Sequence, residues 1–151
     1  MGATKRRLKQ DLAAALRAKD ETAKTNIRMM MGAITVEEVA GDSARELSDA
    51  EELAVITREM RKRREASAIY AEAGRAELAE KEAAEADFLA AYLPAPLTED
   101  ELSALVDEAV ADLGHAPTMK DMGALVKAVG AKADGRAEGK QIAALVRAKL
   151  G

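Results

Sequence analysis

Leu102, Leu105, Val106, Ala109, Val110 and Leu113 fall at i, i+3, i+4, i+7, i+8 and i+11, a spacing that lines one face of an α-helix. Thr98 with Glu101 three residues on has the form of a capping box, Pro94 and Pro96 disfavour helix just before it, and Gly114 supplies a stop. The same grammar recurs along the chain. Leu8, Leu12, Ala15 and Leu16 mark a first helix, separated by Asp20 from a second that carries Ile27, Met30, Met31 and Ile34 and ends near Gly41 and Asp42. Ser48 with Glu51 opens a third helix running to about Ala73, and Gly74 divides it from a fourth that reaches Tyr92. Beyond Pro117, Thr118 can cap a sixth helix with Met119, Met122, Val126 and Val129 inward, and Ile142, Leu145, Val146 and Leu150 define a seventh. No segment reads as a strand. The expected fold is therefore all-α, with about seven helices.

Composition supports that class. Aromatic residues are only Phe88, Tyr70 and Tyr92, 2% of the chain, so the core must be helix-on-helix packing of Leu, Val, Ile, Met and Ala. At 48% apolar and 33% charged, the chain has enough to bury and a well-solvated surface. Leu93-Pro94-Ala95-Pro96 is the best boundary, giving an N-terminal long-helix domain over 1–93 and a C-terminal three-helix domain over 94–151. Cysteine is absent, which excludes disulfides, thiolate nucleophiles and Cys-based metal or cluster sites. With no apolar run of spanning length and no hydrophobic segment after Thr4-Lys5-Arg6-Arg7, no membrane association is expected and the chain reads as cytoplasmic.

Charge is unevenly spread. The net charge is -4, yet residues 1–28 carry eight cations against three acids, residues 29–115 eight against 21, and residues 116–151 seven against three. A globally acidic chain argues against nonspecific nucleic-acid binding over the whole surface, and no DNA partner is expected; the charge balance permits a local basic face on the tail. Arg61-Lys62-Arg63-Arg64 is the densest basic run, but on a helix these side chains splay around the circumference beside Glu59 and Glu65, so paired, solvated charges are the plain reading. Glu80, Glu82, Glu85 and Asp87 read as a solvated helix face.

Catalytic signals are sparse. His115 is the sole histidine and falls between two helices, with no nucleophile elbow and no second histidine in the chain, so no catalytic residue, metal ligand or cofactor site is assigned. Gly135-Arg136-Ala137-Glu138-Gly139-Lys140-Gln141 has three residues rather than four between its glycines, lacks Ser or Thr after Lys140 and follows no strand, which rules out a nucleotide-hydrolysing phosphate loop. It does open the last helix, where Arg136 and Lys140 could join free amides in seating a phosphate; the competing reading is a tight connection with Lys140 solvated.

Lys62-Arg63-Arg64-Glu65, Tyr70, Ala73-Gly74-Arg75-Ala76-Glu77-Leu78-Ala79-Glu80-Lys81-Glu82 and Tyr92-Leu93-Pro94 resemble the YqeY family. Lys120-Asp121-Met122-Gly123 and Gly135-Arg136-Ala137-Glu138-Gly139-Lys140 look like the motif that this family shares with the tail domain of the B subunit of glutamine-dependent Asp/Glu-tRNA amidotransferase, with Glu138 where Asp is usual and Ala124 where Lys is common. The resemblance implies an N-terminal helical domain, a C-terminal three-helix domain and a non-catalytic tRNA-binding accessory role. An alternative is a helical adaptor docking on amidotransferase subunits or another protein. Carbon–nitrogen ligase activity with glutamine as amide donor is a more remote family association, because none of the kinase-like or amidase machinery is in this chain. If tRNA is bound, the residues expected to meet it are Lys127, Lys132, Arg136 and Lys140, with Lys120 and Arg147 peripheral.

Overall fold

The computed structural model describes residues Met1–Gly151. It consists of seven α-helices and one 3-10 turn: α1 (Ala3–Ala18), α2 (Glu21–Glu38), α3 (Asp49–Glu72), α4 (Ala76–Ala90), α5 (Glu99–Asp112), the turn Met119–Asp121, α6 (Met122–Ala133) and α7 (Gly139–Leu150). There is no strand, and the all-α class follows. Two compact units result, Met1–Leu93 and Pro94–Gly151.

The first unit is built on two helix pairs, α1 with α2 and α3 with α4. Its core is Leu8, Ile27, Met30, Ile34, Leu47, Val55, Ile56, Leu89 and Tyr92, closed off by Met60 and Phe88. At 24 residues, α3 is the longest helix, about 36 Å at 1.5 Å per residue. Its buried residues, Glu52, Val55 and Ile56, all lie in its first third. Beyond them α3 runs against α4 with small side chains such as Ala79 and Ala86 between, which leaves Ile69 65% and Leu78 38% exposed. The hairpin turns at Gly74, whose φ of +74° suits glycine, and Arg75 N–H donates to Tyr70 O at 2.8 Å across the turn. Ser67 Oγ donates to Ala79 O at 2.7 Å, fixing the register of the two helices.

Charge does the rest of the fastening along this hairpin. Arg63 lies 3.4 Å from Glu85, 3.8 Å from Glu59 and 3.9 Å from Glu82, and Arg64 lies 2.9 Å from Asp87. Glu82, Glu85 and Asp87 are therefore partners of the basic run on α3 and not a merely solvated face. The cations splay as helix geometry requires, and α4 collects two of them.

The start of α1 is closed from outside. Its N-cap is Gly2, which has no side chain to offer, so Asp49 Oδ1 accepts from Ala3 N–H at 2.7 Å and Glu52 Oε1 accepts from Lys5 N–H at 3.2 Å. Asp49 and Glu52 also sit in the first turn of α3, so these two carboxylates face the positive ends of two helices. Glu52 is 1% exposed. A Cβ at Gly2 would stand 2.2–2.7 Å from the atoms of that carboxylate, closer than side chains approach one another.

Ser48 and Glu51 form the expected capping box on α3; Arg45 donates to Glu51 at 2.9 Å and, with the Ser48 amide, pulls the Glu51 carboxyl down to about 2. At the other end of the unit, Tyr92 O–H donates a short hydrogen bond to Asp11, and the Arg7 guanidinium lies 4.3 Å from the Tyr92 ring centroid. Burial, reinforced by Asp11, pushes the Tyr92 hydroxyl above its ordinary range.

The second unit is a three-helix bundle around Leu102, Val106, Ala109, Leu125, Val129, Ala133, Ile142 and Val146. Thr98 and Glu101 cap α5 as expected. Thr118, with Asp121, caps the 3-10 turn and not α6 itself, and this corrects one detail. Met119, expected inward, is 60% exposed, because a 3-10 turn advances about 120° per residue against 100° in an α-helix and throws the stripe out of phase. Leu125 takes the inward position instead.

Two expectations follow for stability. Gly2→Ala should cost about 1–3 kcal/mol, since the new methyl displaces a buried carboxylate from the Lys5 amide; a lowered denaturation midpoint in a urea titration checks it. Because the folded Tyr92 hydroxyl titrates above the unfolded one, its contribution is complete below about pH 10 and is lost as the pH rises through the folded value. Ultraviolet difference absorbance should show a tyrosinate signal delayed beyond the ordinary range, and Tyr92→Phe should remove that delayed signal and cost about 1.5 kcal/mol near neutral pH.

Candidate functional site

The connection from α6 to α7 is a built loop. Asp134 and Gly135 both adopt left-handed backbone, at φ +47° and +79°, which turns the chain sharply after Ala133. Leu97 N–H then donates to Arg136 O, and Arg136 Nε donates to Ala95 O, each at 2.8 Å. The glycine of the motif thus supplies a conformation that side chains resist, and its arginine staples the loop to the segment ahead of α5. These are structural duties.

At the start of α7 the N-cap is Glu138, which closes a capping box with Gln141; the Gln141 side chain accepts from Glu138 N–H at 3.3 Å. A resident carboxylate stands at the helix start, so anion binding in this unit must rest on exposed side chains and not on the dipole alone.

Those side chains fall into two groups. Lys132 lies 2.6 Å from Glu108 and 3.6 Å from Asp112, and the Glu108 carboxylate holds its ammonium above the usual range. Lys149 lies 2.6 Å from Asp107. Both are taken up by acids of α5, whose six carboxylates help bring the unit to seven cations against nine acids, a net of -2. Lys120, Lys127, Lys140 and Arg147 are exposed and pair with no carboxylate.

Helix geometry groups them further. Lys140 and Arg147 are seven residues apart, about 20° round the axis, so they share the exposed face of α7 with Ala144. Lys127 and Lys132 are about 140° apart on α6 and do not share one. Lys127 stands among exposed Gly123, Ala124 and Ala131, with nothing bulky beside it. Of the six residues expected from sequence, Lys140 and Arg147 are thus brought onto one face, Lys132 is neutralised, and Arg136 is engaged by the backbone.

One cationic face escaped sequence reasoning. On α1, Arg6, Lys9 and Arg17 fall within an arc of about 80° that also holds Ala13, all exposed and none ion-paired. Their neighbours Lys5 and Arg7 are taken up by Glu38 at 2.8 Å and Asp11 at 3.7 Å. The signal was available in the spacing 6, 9, 13, 17, which is helical.

His115 is exposed, with Nδ1 3.0 Å from Ala116 O and Nε2 3.9 Å from Asp121. No helix is long and apolar enough to cross a membrane. No curated protein matches the chain. A family model described as Yqey-like protein matches residues 5–150, almost the full length and both units, and on that match the chain belongs to the YqeY family.

Proposed function

We propose that this protein is a tRNA-binding accessory factor whose C-terminal unit engages the phosphate backbone. The observation that carries the reading is the exposed α7 face, where Lys140 and Arg147 stand two turns apart without carboxylate partners in a unit that is otherwise rich in acids. Lys127 and Lys120 extend the cationic surface, while Arg136 holds the loop and lends what remains of its guanidinium. Family membership supports the reading, through the motif shared with the tail of an enzyme subunit that handles tRNA. The second unit contains no aromatic residue, so base stacking contributes nothing there and affinity rests on phosphates. Selection then comes from tRNA shape more than from base identity.

The proposal concerns binding and not amide transfer. A second reading, docking on amidotransferase subunits or another protein, is favoured by one observation: Ile69, Val36 and Val39 are 65%, 67% and 58% exposed, and Ile69 lies towards the far end of the α3–α4 hairpin. Such docking would bury apolar surface and release few counterions, which makes the two readings separable.

The test is a titration with unmodified tRNA across a range of salt. Lys140→Ala with Arg147→Ala should weaken binding and lower the slope of log affinity against log salt by about 0.7–0.9 for each phosphate no longer neutralised. Lys132→Ala should change little, since Glu108 and Asp112 already offset its charge, whereas Glu108→Gln should tighten binding by loosening Lys132. Unchanged affinity and slope in the double variant would remove α7 as the tRNA surface, and no binding by the wild type at low salt would hand the function to the docking reading.

A further inference from the structure

Helix α1 is the most positive element of the fold. Lys5, Arg6, Arg7, Lys9 and Arg17 stand against one acid, Asp11, a net of +4 in a chain of net charge -4. That acid is committed elsewhere: it accepts a hydrogen bond from Tyr92 O–H and lies 3.7 Å from Arg7. At 100° per residue it also stands about 120–160° round the axis from Arg6, Lys9 and Arg17. Lys5 is taken by Glu38 at 2.8 Å. Arg6, Lys9 and Arg17 remain exposed with no carboxylate partner, in a molecule where acids outnumber bases.

Their spacing selects the partner. Arg6 and Arg17 are about 20° apart round the axis and about 16 Å apart along it, with Lys9 about 60° to one side of Arg6. Cations strung along a helix line match charges strung along a chain and not a single small anion. Ala13, central in the arc, is too small to hold such a chain off the helix surface. Lys19, at the C-cap, is exposed and unpaired and adds charge at the Arg17 end. Insertion into a lipid surface needs an apolar face, and that of α1 is used up: Leu8 and Ala15 are buried and Leu12 packs on the same core. A nucleic-acid backbone, charged at short intervals along its length, is the complement of this face.

We propose that the α1 face is a second phosphate-backbone contact for RNA, carried by the N-terminal unit. The inference rests on the tRNA reading but not on the α7 face, since α1 belongs to Met1–Leu93 and α7 to Pro94–Gly151. Arg6, Lys9 and Arg17 neutralise phosphates. No aromatic residue lies on α1, so no base is stacked there, and the contact adds affinity and salt dependence without sequence preference.

The test titrates full-length protein with an unmodified tRNA transcript across a range of salt. Arg6→Ala with Arg17→Ala should weaken binding and lower the slope of log affinity against log salt by about 1.4–1.8, at about 0.7–0.9 for each phosphate contact. Both side chains are exposed, so the thermal midpoint should match the wild type. Arg6→Lys with Arg17→Lys should keep the slope. Arg75→Ala with Lys81→Ala, which removes as much exposed charge elsewhere in the same unit, should leave it unchanged. Loss of slope in the α1 pair supports the contact even where Lys140→Ala with Arg147→Ala changes nothing, a result that withdraws the α7 face alone. An unchanged slope in the α1 pair, where the wild type binds tRNA and the α7 pair loses slope, overturns the α1 contact and leaves the tRNA reading standing. An equal loss from the Arg75 and Lys81 pair reduces the effect to net charge and overturns it too. No tRNA binding by the wild type at low salt removes both, and binding to vesicles of phosphatidylcholine with phosphatidylserine would then assign the face to a lipid surface.

Discussion

Carboxylates at helix starts organise this molecule. Each helix opens with amide groups that have no partner within it, and in a fold made only of helices these orphans are numerous. Asp20 closes α2, Glu51 with Ser48 closes α3, Glu101 with Thr98 closes α5, Asp121 with Thr118 closes the turn before α6, and Glu138 stands at α7. Helix α1, capped by glycine, borrows Asp49 and Glu52 from α3. That loan joins the first helix to the third through a buried carboxylate, and it fixes how closely their ends approach. Glycine at position 2 is the only residue without a Cβ to obstruct it.

The same placement of acids decides which cations remain available. With more carboxylates than basic groups, many Lys and Arg side chains find a partner: Arg63 and Arg64 on α4, Lys132 and Lys149 on α5, Lys5 at the end of α2 and Arg45 at the α3 start. What is left exposed and unpaired is informative for that reason. On α1 and on α7 the leftover cations fall at helical spacing on one face, where their charges add. A phosphate backbone is the partner proposed here for the α7 face and, as a second contact, for the α1 face.

Most of the helical framework was legible because period and capping chemistry agree along the chain. Thr98 with Glu101 and Ser48 with Glu51 are capping boxes as read, and the stripe from Leu102 to Val110 faces the core as read. Met119 misled because it is apolar and helix-spaced, while the backbone there turns as a 3-10 segment. Ile69 continues a loose apolar pattern along α3, but only the first third of that helix is buried. Glu52 and Asn26 were passed over as polar, although Glu52 sits three and four residues before Val55 and Ile56 and Asn26 four before Met30. A polar residue in register with an apolar stripe is the signal that finds both. The cations of the candidate interface were visible in sequence, but their pairing was not, since Glu108 lies 24 residues from Lys132.

Residue-by-residue mapping of the surface that tRNA covers tests the central claim most directly. Titrating labelled protein with an unmodified tRNA transcript at low salt, and recording amide and Lys side-chain signals, reads every candidate face at once. Within the second unit the account predicts perturbation concentrated at Lys127, Lys140, Ala144 and Arg147, with the Lys132 ammonium scarcely affected. Perturbation confined to the α3–α4 hairpin, or no change at any face, would contradict it.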